Sequence, residues 1–262
     1  MTADGWTKAV RQQLGLGRVL PLGGPHDGTW ITESAAVAAL GRTAAALRGL
    51  SLDRLRIEPA DSGAKEGEEG EGAHEYGHDT AVPPPPSALP PGPLRITADL
   101  AAMAGPAAEP LPATAARLRT ALFTAARERL GLTVTEVDLR VTRLLEADAV
   151  PSGPAPAPPP SAAAPTAPAG DDEESRVAAA ALSVPGVARL TGALGGLGGP
   201  GGVGRPVDIA AGPALPRRHV RVELAVAEER RALDVAREVR GAVTVCLPDH
   251  PSVAVLITAI GT

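Results

Sequence analysis

Aromatic residues and cysteine are scarce in this chain of 262 residues, which contains two Trp, one Tyr, one Phe and one Cys. A single cysteine excludes a disulfide within the chain, so nothing indicates an oxidising compartment. Because aromatic side chains supply the largest buried areas, the core has to be aliphatic, built from Ala, Val, Leu and Ile. Cys246 stands between Val245 and Leu247, and we expect it to be a small buried hydrophobic residue.

Long basic runs and long apolar runs are also missing. No stretch approaches the ~20 apolar residues of a membrane span, and "MTADGWTKAV" lacks the basic-then-apolar order of a signal peptide. We therefore expect a cytoplasmic protein that does not insert into a membrane.

The formal charge of −5 gives little support to nucleic-acid binding, which uses a clustered Lys/Arg surface. One short basic cluster is present, and we interpret it as the solvated start of a strand. It consists of Arg217, Arg218, His219 and Arg221. Nucleic-acid binding is retained as the alternative function.

Glycine and proline, in contrast, are abundant, with 30 and 28 residues. They concentrate in an acidic and Pro-rich insert at about 61–93, a Pro/Ala linker at 149–172 and a Gly-rich loop at about 192–206. Such compositions bury little apolar surface and favour disordered or polyproline II chain. We expect the linker to separate two units. The tract "PPPPSALPP" fits a spacer better than a ligand for an aromatic groove.

The remaining segments have the periodicity of helices and strands. In the first half they predict strands at 28–32, 52–58, 94–100 and 132–145 and helices at 33–47 and 111–130. In the second half they predict strands at 207–211, 220–226 and 252–260 and helices at 173–184 and 228–243. Glu136 breaks the alternation of its strand, either at a bulge or at the strand's start.

The order of elements predicts an α+β protein with two related small units of the β-α-β-β-α-β type. The first spans 28–148 and the second 173–262, which lacks a clear first strand because the linker precedes its helix. The similarity of "LRITADL" to "VRVELAV", each followed by a helix and a strand, suggests an internal duplication. An N-terminal arm, 1–27, carries Trp6, Val10 and Leu14 on one helical face.

Two motifs resemble catalytic signatures, and we reject both. "HEYGH" (His74, Glu75 and His78) matches the zinc-hydrolase pattern H-E-x-x-H, which needs a helix to place both histidines on one face. The surrounding glycines make such a helix unfavourable, so a metal-dependent hydrolase is the less favoured alternative. "GLGGPG" (Gly196, Gly198 and Gly201) matches G-x-G-x-x-G but follows a helix, whereas a dinucleotide site lies between a strand and a helix.

Two charged runs have structural interpretations. Asp171, Asp172, Glu173 and Glu174 precede a helix, where acidic side chains cap free N–H groups and complement the helix dipole. "EERR", residues 228–231, opens the next predicted helix, and we expect its charges to be solvated. We predict no catalytic, cofactor-binding or metal-binding residue.

Several segments resemble the alkaline-shock, or envelope stress response, family. "ITESAAVAALGRTAAALRGL" resembles its opening strand, helix and turn. "AALSVPGVARL" contains the family's Val-Pro-Gly-Val turn at Val184–Val187, and "VRVELAVAEERRALDVAREVRGAVTV" resembles its second helix with flanking strands. The whole chain also resembles a group of actinobacterial proteins that carry a nucleopolyhedrovirus-type label.

The resemblance implies a non-enzymatic cytoplasmic protein, in some members held at the membrane by a protein partner. It carries over no catalytic residues. The acidic insert, the Gly-rich loop and the missing first strand depart from the family pattern. The function expected from the sequence is therefore a structural or adaptor protein with a protein partner.

Overall fold

The computed structural model describes residues 15–60, 82–85, 87–105, 108–146, 172–193, 205–210 and 218–261. These ranges contain nine strands and four α-helices, which confirms the predicted α+β class. The strands are β1 (Val19–Pro21), β2 (Thr29–Thr32), β3 (Leu50–Pro59), β4 (Leu94–Ala104), β5 (Val134–Glu146), β6 (Val187–Leu190), β7 (Val207–Ala210), β8 (His219–Val226) and β9 (Ser252–Ile260). The helices are α1 (Glu33–Ala45), α2 (Leu111–Thr124), α3 (Glu173–Leu182) and α4 (Ala232–Cys246).

Helix ends follow local chemistry. Thr32 caps α1 by accepting a hydrogen bond from the Ala35 backbone N–H at 3.3 Å. After α2 the chain continues as a π-helical turn, Ala125–Leu130, which ends at Gly131 with a left-handed φ of 91°. The predicted start of α4 at 228 was wrong, because Arg230 N–H bonds to the Ala227 carbonyl in a turn and the helix begins at Ala232.

The strands form two sheets. Three strands of the larger sheet, β6, β8 and β9, have the same relative directions as the three strands of the smaller sheet. In the smaller sheet, ordered β3-β4-β5, β3 is antiparallel to β4 and β4 is parallel to β5. In the larger sheet, ordered β1-β2-β9-β8-β6, β6 is antiparallel to β8 and β8 is parallel to β9. β7 also pairs antiparallel with β8.

β2 opens the first half of the chain but lies in the larger sheet. It pairs parallel with β9, with Ile31 opposite Ile257, so its assignment to the sheet of the first unit needs correction. All four β2 residues are buried, and β2 is paired on both edges, with β1 and with β9. β2 thus lies in the sheet formed by strands of the second half, beside β9. Whether the chain divides into separable units at 149–172 stays a prediction, since only residue 172 of that range is described.

The two sheets lie side by side and share a core. Arg18 and Glu33 connect them at the edge of β3: the Arg18 guanidinium donates to the Ile57 carbonyl at 3.4 Å, and Ile57 N–H donates to the Glu33 carboxylate at 3.5 Å. One continuous hydrophobic cluster includes residues of both sheets and all four helices, among them Leu40, Ile57, Leu118, Val177, Val239 and Val255.

Part of the predicted insert at 61–93 is packed rather than disordered. Val82 is buried in a small second cluster on the other face of the larger sheet, with Val19, Trp30, Ala254 and Leu256. Leu89 N–H donates to the Val19 carbonyl at 2.8 Å. The apolar residues near the end of the insert explain this contact. Residues 61–81 and 86 lie outside the described part, as do 194–204 of the Gly-rich loop.

The Pro185–Gly186 turn links α3 to β6, and Gly186 has a φ of 99°. Gly49 lies in the corresponding place between α1 and β3 with a φ of 82°. Both positions therefore use glycine for a left-handed backbone. β6, of four residues, and β1, of three, were not predicted as strands.

Candidate protein-binding surface

The two rejected catalytic motifs, at 74–78 and 196–201, lie outside the described residues, so their interpretation stays a prediction. Within the described ranges there is no group of three or more His, Cys, Asp or Glu side chains placed to hold a metal ion. Cys246 is half-buried against the core, and burial raises the pKa of its thiol.

The basic cluster at the start of β8 is ion-paired within the fold. Arg218 lies 2.6 Å from Glu173 and 3.4 Å from Asp249, and Arg221 lies 3.4 Å from Asp208. Arg217 is outside the described residues. The two described guanidinium groups therefore hold α3 and β7 against β8, which favours a structural role over binding of nucleic-acid phosphates.

His219, in the same cluster, is partly buried on β8. Burial first, and the nearby Arg221 second, lower the pKa of its imidazole. Its Nδ1 lies 3.0 Å from Ser252 Oγ, and that hydroxyl donates to the Arg218 carbonyl. The pair fastens β8 to the first residue of β9.

Glu223 is a charged residue that the sequence did not single out. It is fully buried on β8, with its carboxylate 3.6 Å from the Arg221 guanidinium. Alternation in "VRVELAV" suggested that this side of the strand faces solvent. The charge is instead covered and lies beside a cation, as buried charges usually do.

The acidic run before α3 acts as predicted at its described positions. Asp172 caps the helix by accepting from Ser175 N–H at 2.9 Å, and hydrogen bonds with Ser175 lower the pKa of its carboxyl. Glu173 and Glu174 lie beside Arg218 and Arg205, respectively. Asp171 is outside the described residues.

The "EERR" segment was predicted to be solvated, but Glu228 connects the two halves of the chain. Its carboxylate accepts from Arg42 of α1 at 3.3 Å and from Arg129 at 2.9 Å. These hydrogen bonds, the one from Arg129 foremost, lower the pKa of Glu228. Partners so distant in sequence gave no local signal.

β5 forms an open edge of the smaller sheet. β4 pairs with one side of this strand of 13 residues, and no described strand pairs with its other side. The Val137 carbonyl of β5 accepts a hydrogen bond from Arg119 Nε of α2 at 3.1 Å. An edge strand presents unpaired backbone groups to which another strand can add.

The apolar residues of β5 become progressively exposed along the strand. Val137 is 8% exposed, Val141 39% and Leu144 60%. They share a sheet face with buried β4 residues, since Val141 lies opposite Leu100 and Leu144 opposite Ala102. Leu111, which opens α2 at the same end of the sheet, is exposed as well. We call Val141, Leu144, Leu111 and the free side of β5 the β5 edge surface.

β9 shows what such an edge looks like when it is covered. It is the strand of the larger sheet that corresponds to β5, being parallel to its neighbour and preceded by a helix. Val253, Val255 and Ile257 on its core-facing side are at most 1% exposed, because β2 lies beyond them. The exposure of Val141 and Leu144 therefore reflects the side of β5 that no strand of the described residues covers.

A separate shallow groove of about 690 Å³ lies between α1 and α2 and includes no residue of the β5 edge surface. Its lining is mostly small, including Thr43, Ala116, Thr120, Ala121 and Thr124. The arginines at its rim are engaged, Arg117 by Glu109 and Arg129 by Glu228. The groove offers shallow apolar contact but no convergent polar group.

None of the described helices combines the length and hydropathy needed to cross a membrane. No protein-family model, curated protein or solved structure matches this chain. The resemblance to the alkaline-shock family therefore remains a prediction from the residues that carry it.

Proposed function

We propose that this chain is a non-catalytic adaptor that binds a protein along the β5 edge surface. The observation that carries the proposal is the contrast between the two sheets: the β9 edge is covered by β2, whereas β5 exposes Val141 and Leu144 beside an unpaired side. An apolar surface next to free backbone groups is suited to strand addition, in which the backbone gives affinity and alternate side chains give specificity.

The role agrees with what the family resemblance implies, a cytoplasmic adaptor in the envelope stress response, with a membrane-associated protein among the candidate partners. An internal duplication is part of the proposal. It is supported by the equal strand polarity of the two sheets and by left-handed glycines at the corresponding turns, Gly49 and Gly186.

Site-specific photocrosslinking in cells tests the proposal. A photoreactive residue at Leu144 should give discrete protein adducts, and one at Val245 should not. Val245 is a matched control, because it is an apolar residue 75% exposed on α4, away from any strand edge.

The adducts at position 144 should decrease on substitution Val141→Lys, since a lysine on an edge strand disfavours strand addition. Val245→Lys should leave them unchanged. Equal adducts at positions 144 and 245, or a yield insensitive to Val141→Lys, would contradict the proposal.

A further inference from the structure

The β5 edge surface has a sequence that complements itself. The pairing of β5 with β4 is regular between two register shifts, one after Val134 and one after Val141. In this regular part Asp138 and Arg140 lie on one face of the sheet, and Val137, Leu139 and Val141 lie on the other. A free strand with this alternation can be matched against a second copy of itself.

We infer that a second copy of this chain pairs with the first along β5, antiparallel and about a two-fold axis through Leu139. This inference rests on the proposed function, because it names the protein that occupies the same surface. Two-fold symmetry requires antiparallel strands and places the same patch on both copies. Leu139 would then face Leu139 of the other copy, with Asp138 opposite Arg140 and Val137 opposite Val141. The Val137 carbonyl would exchange its present donor, Arg119 Nε, for the backbone of the other copy.

Charge selects this register over its neighbours. In a symmetric antiparallel pair a residue can lie opposite only a residue of the same face, so the axis can pass through Asp138, Leu139 or Arg140 near the centre of the strand. An axis at Asp138 opposes two carboxylates, and an axis at Arg140 opposes two guanidinium groups. Like charges directly opposite each other destabilise a sheet. The axis at Leu139 instead gives two Asp138–Arg140 pairs.

The side chains that this register uses are accessible. Asp138 has an exposed carboxylate whose ion pair with Arg95 is long, at 3.5 Å. Arg140 is exposed and forms no ion pair with a described residue. On the other face, the apolar pair of Val137 and Val141 would cover the valine that is now 39% exposed.

Charge reversal with measurement of mass in solution by sedimentation tests the inference on the full-length protein. The wild type should be a concentration-dependent dimer. Arg140→Glu and Asp138→Lys should each weaken dimerisation at least about tenfold, because each converts two attractive cross-strand pairs into repulsive ones. Arg56→Glu, an exposed position on β3, is the matched control and should leave the dimer intact.

Two combinations of these substitutions make the test specific for the register. An equimolar mixture of Arg140→Glu and Asp138→Lys chains should form a mixed dimer. In that dimer the two substituted positions face each other with opposite charges, and the native Asp138 of one chain faces the native Arg140 of the other. The double variant D138K/R140E should dimerise with itself. If Asp138→Lys perturbs folding beside Arg95, seen by circular dichroism, Arg140→Glu still decides the question.

A cross-link provides an independent measurement. In a Cys246→Ser background, Leu139→Cys should form a disulfide between copies on oxidation. Thr135→Cys should not, because the two copies of that residue would lie about 27 Å apart along the paired strands.

A monomeric wild type, or a dimer unaffected by both charge reversals, would overturn the inference. A monomer that still gives photoadducts from Leu144 to a different protein would overturn the self-pairing alone and leave the adaptor proposal standing. A monomer without such adducts would overturn both.

Discussion

Gly186 shows how one residue fixes the turn between α3 and β6. Its φ is 99°, and a Cβ built there would lie 2.9 Å from both Arg230 Cγ and Val235 Cγ2. A side chain at this position therefore meets an unfavourable backbone angle and a steric clash with a residue of the core. The demand for glycine is both conformational and steric.

Gly186→Ala should accordingly lower the free energy of unfolding by about 1–3 kcal/mol. Urea unfolding followed by circular dichroism measures the loss. Gly241→Ala is the control, since Gly241 is exposed on α4 with no atom within 4 Å of the added Cβ. It should stabilise the protein by about 0.5–1 kcal/mol. Equal effects of the two substitutions would contradict this account of the turn.

Glu228 is a second single residue with a large structural role, because its carboxylate connects distant parts of the chain. Glu228→Gln should cost about 0.5–1 kcal/mol at neutral pH, because the partly exposed ion pairs with Arg42 and Arg129 are lost. The folded protein holds the pKa of Glu228 below its ordinary value. The stabilisation is therefore present above that ordinary value and disappears as the pH falls through the folded-state pKa.

Unfolding experiments at neutral pH and below about pH 4 should thus show the variant's deficit shrinking in acid. Glu229→Gln is the matched control, because Glu229 is the exposed neighbour of Glu228, and its effect should be small at both pH values. A deficit that stays constant in acid would show that the carboxylate charge is not its cause.

Among the elements, β2 joins the first half of the chain to the sheet of the second half. Its four residues are buried, and it joins β1 to β9 while leading directly into α1. A strand in this position couples the larger sheet to the helix that packs on β3 and β9. Loss of its contacts should therefore destabilise both halves of the chain.

Ile31→Ala should lower the free energy of unfolding by about 2–5 kcal/mol, since Ile31 is fully buried and the substitution leaves a cavity. Circular dichroism and tryptophan fluorescence should still report one coincident transition. Ile209→Ala, on the partly exposed strand β7, should cost less. Separate transitions for the two probes would show that β2 does not couple the halves.

The elements themselves were largely predictable from the sequence, because their signals are local. Alternation located β3, β4, β8 and β9, and Gly131 marked the end of the helical segment. Glu136 proved to follow a register shift in the β4–β5 pairing, the bulge that was one of the two alternatives. Pairing was less predictable: β2 meets β9 far along the chain, and Glu228 meets Arg42 and Arg129. Such contacts depend on how elements pack, which periodicity does not record.

The β5 edge surface could not be predicted from the sequence for the same reason. Val141 follows the alternation of a half-buried strand, so the sequence suggested a core residue, and Leu144 reaches the same face only through the register shift after Val141. Their exposure reflects the side of β5 that lacks a partner among the described strands, since β2 lies in the other sheet. Only the topology shows that one edge is covered and the corresponding edge is open.

For the whole molecule, the shared core predicts that cutting the linker will not release two independent domains. A protease site inserted within 151–171 should, after cleavage, leave two fragments that elute together in native size-exclusion chromatography. Pairing of β2 with β9 and the ion pairs of Glu228 hold the fragments together.

Urea should separate the cleaved fragments, which checks that the cut is complete. The isolated 172–262 fragment lacks β2 beside β9 and should show weaker secondary structure than it has in the complex. Two fragments that separate in native buffer and remain folded would refute the coupling and support independent units.

The pairing of Ile31 with Ile257 also sets the order of events during synthesis. A ribosome adding roughly 5–20 residues per second needs roughly 10–45 seconds between these two positions. Throughout that interval β2 has emerged without its parallel partner, and its apolar residues are available to chaperones or to other nascent chains. The larger sheet can therefore close only after translation has reached β9, even though α1 and β3 are made early.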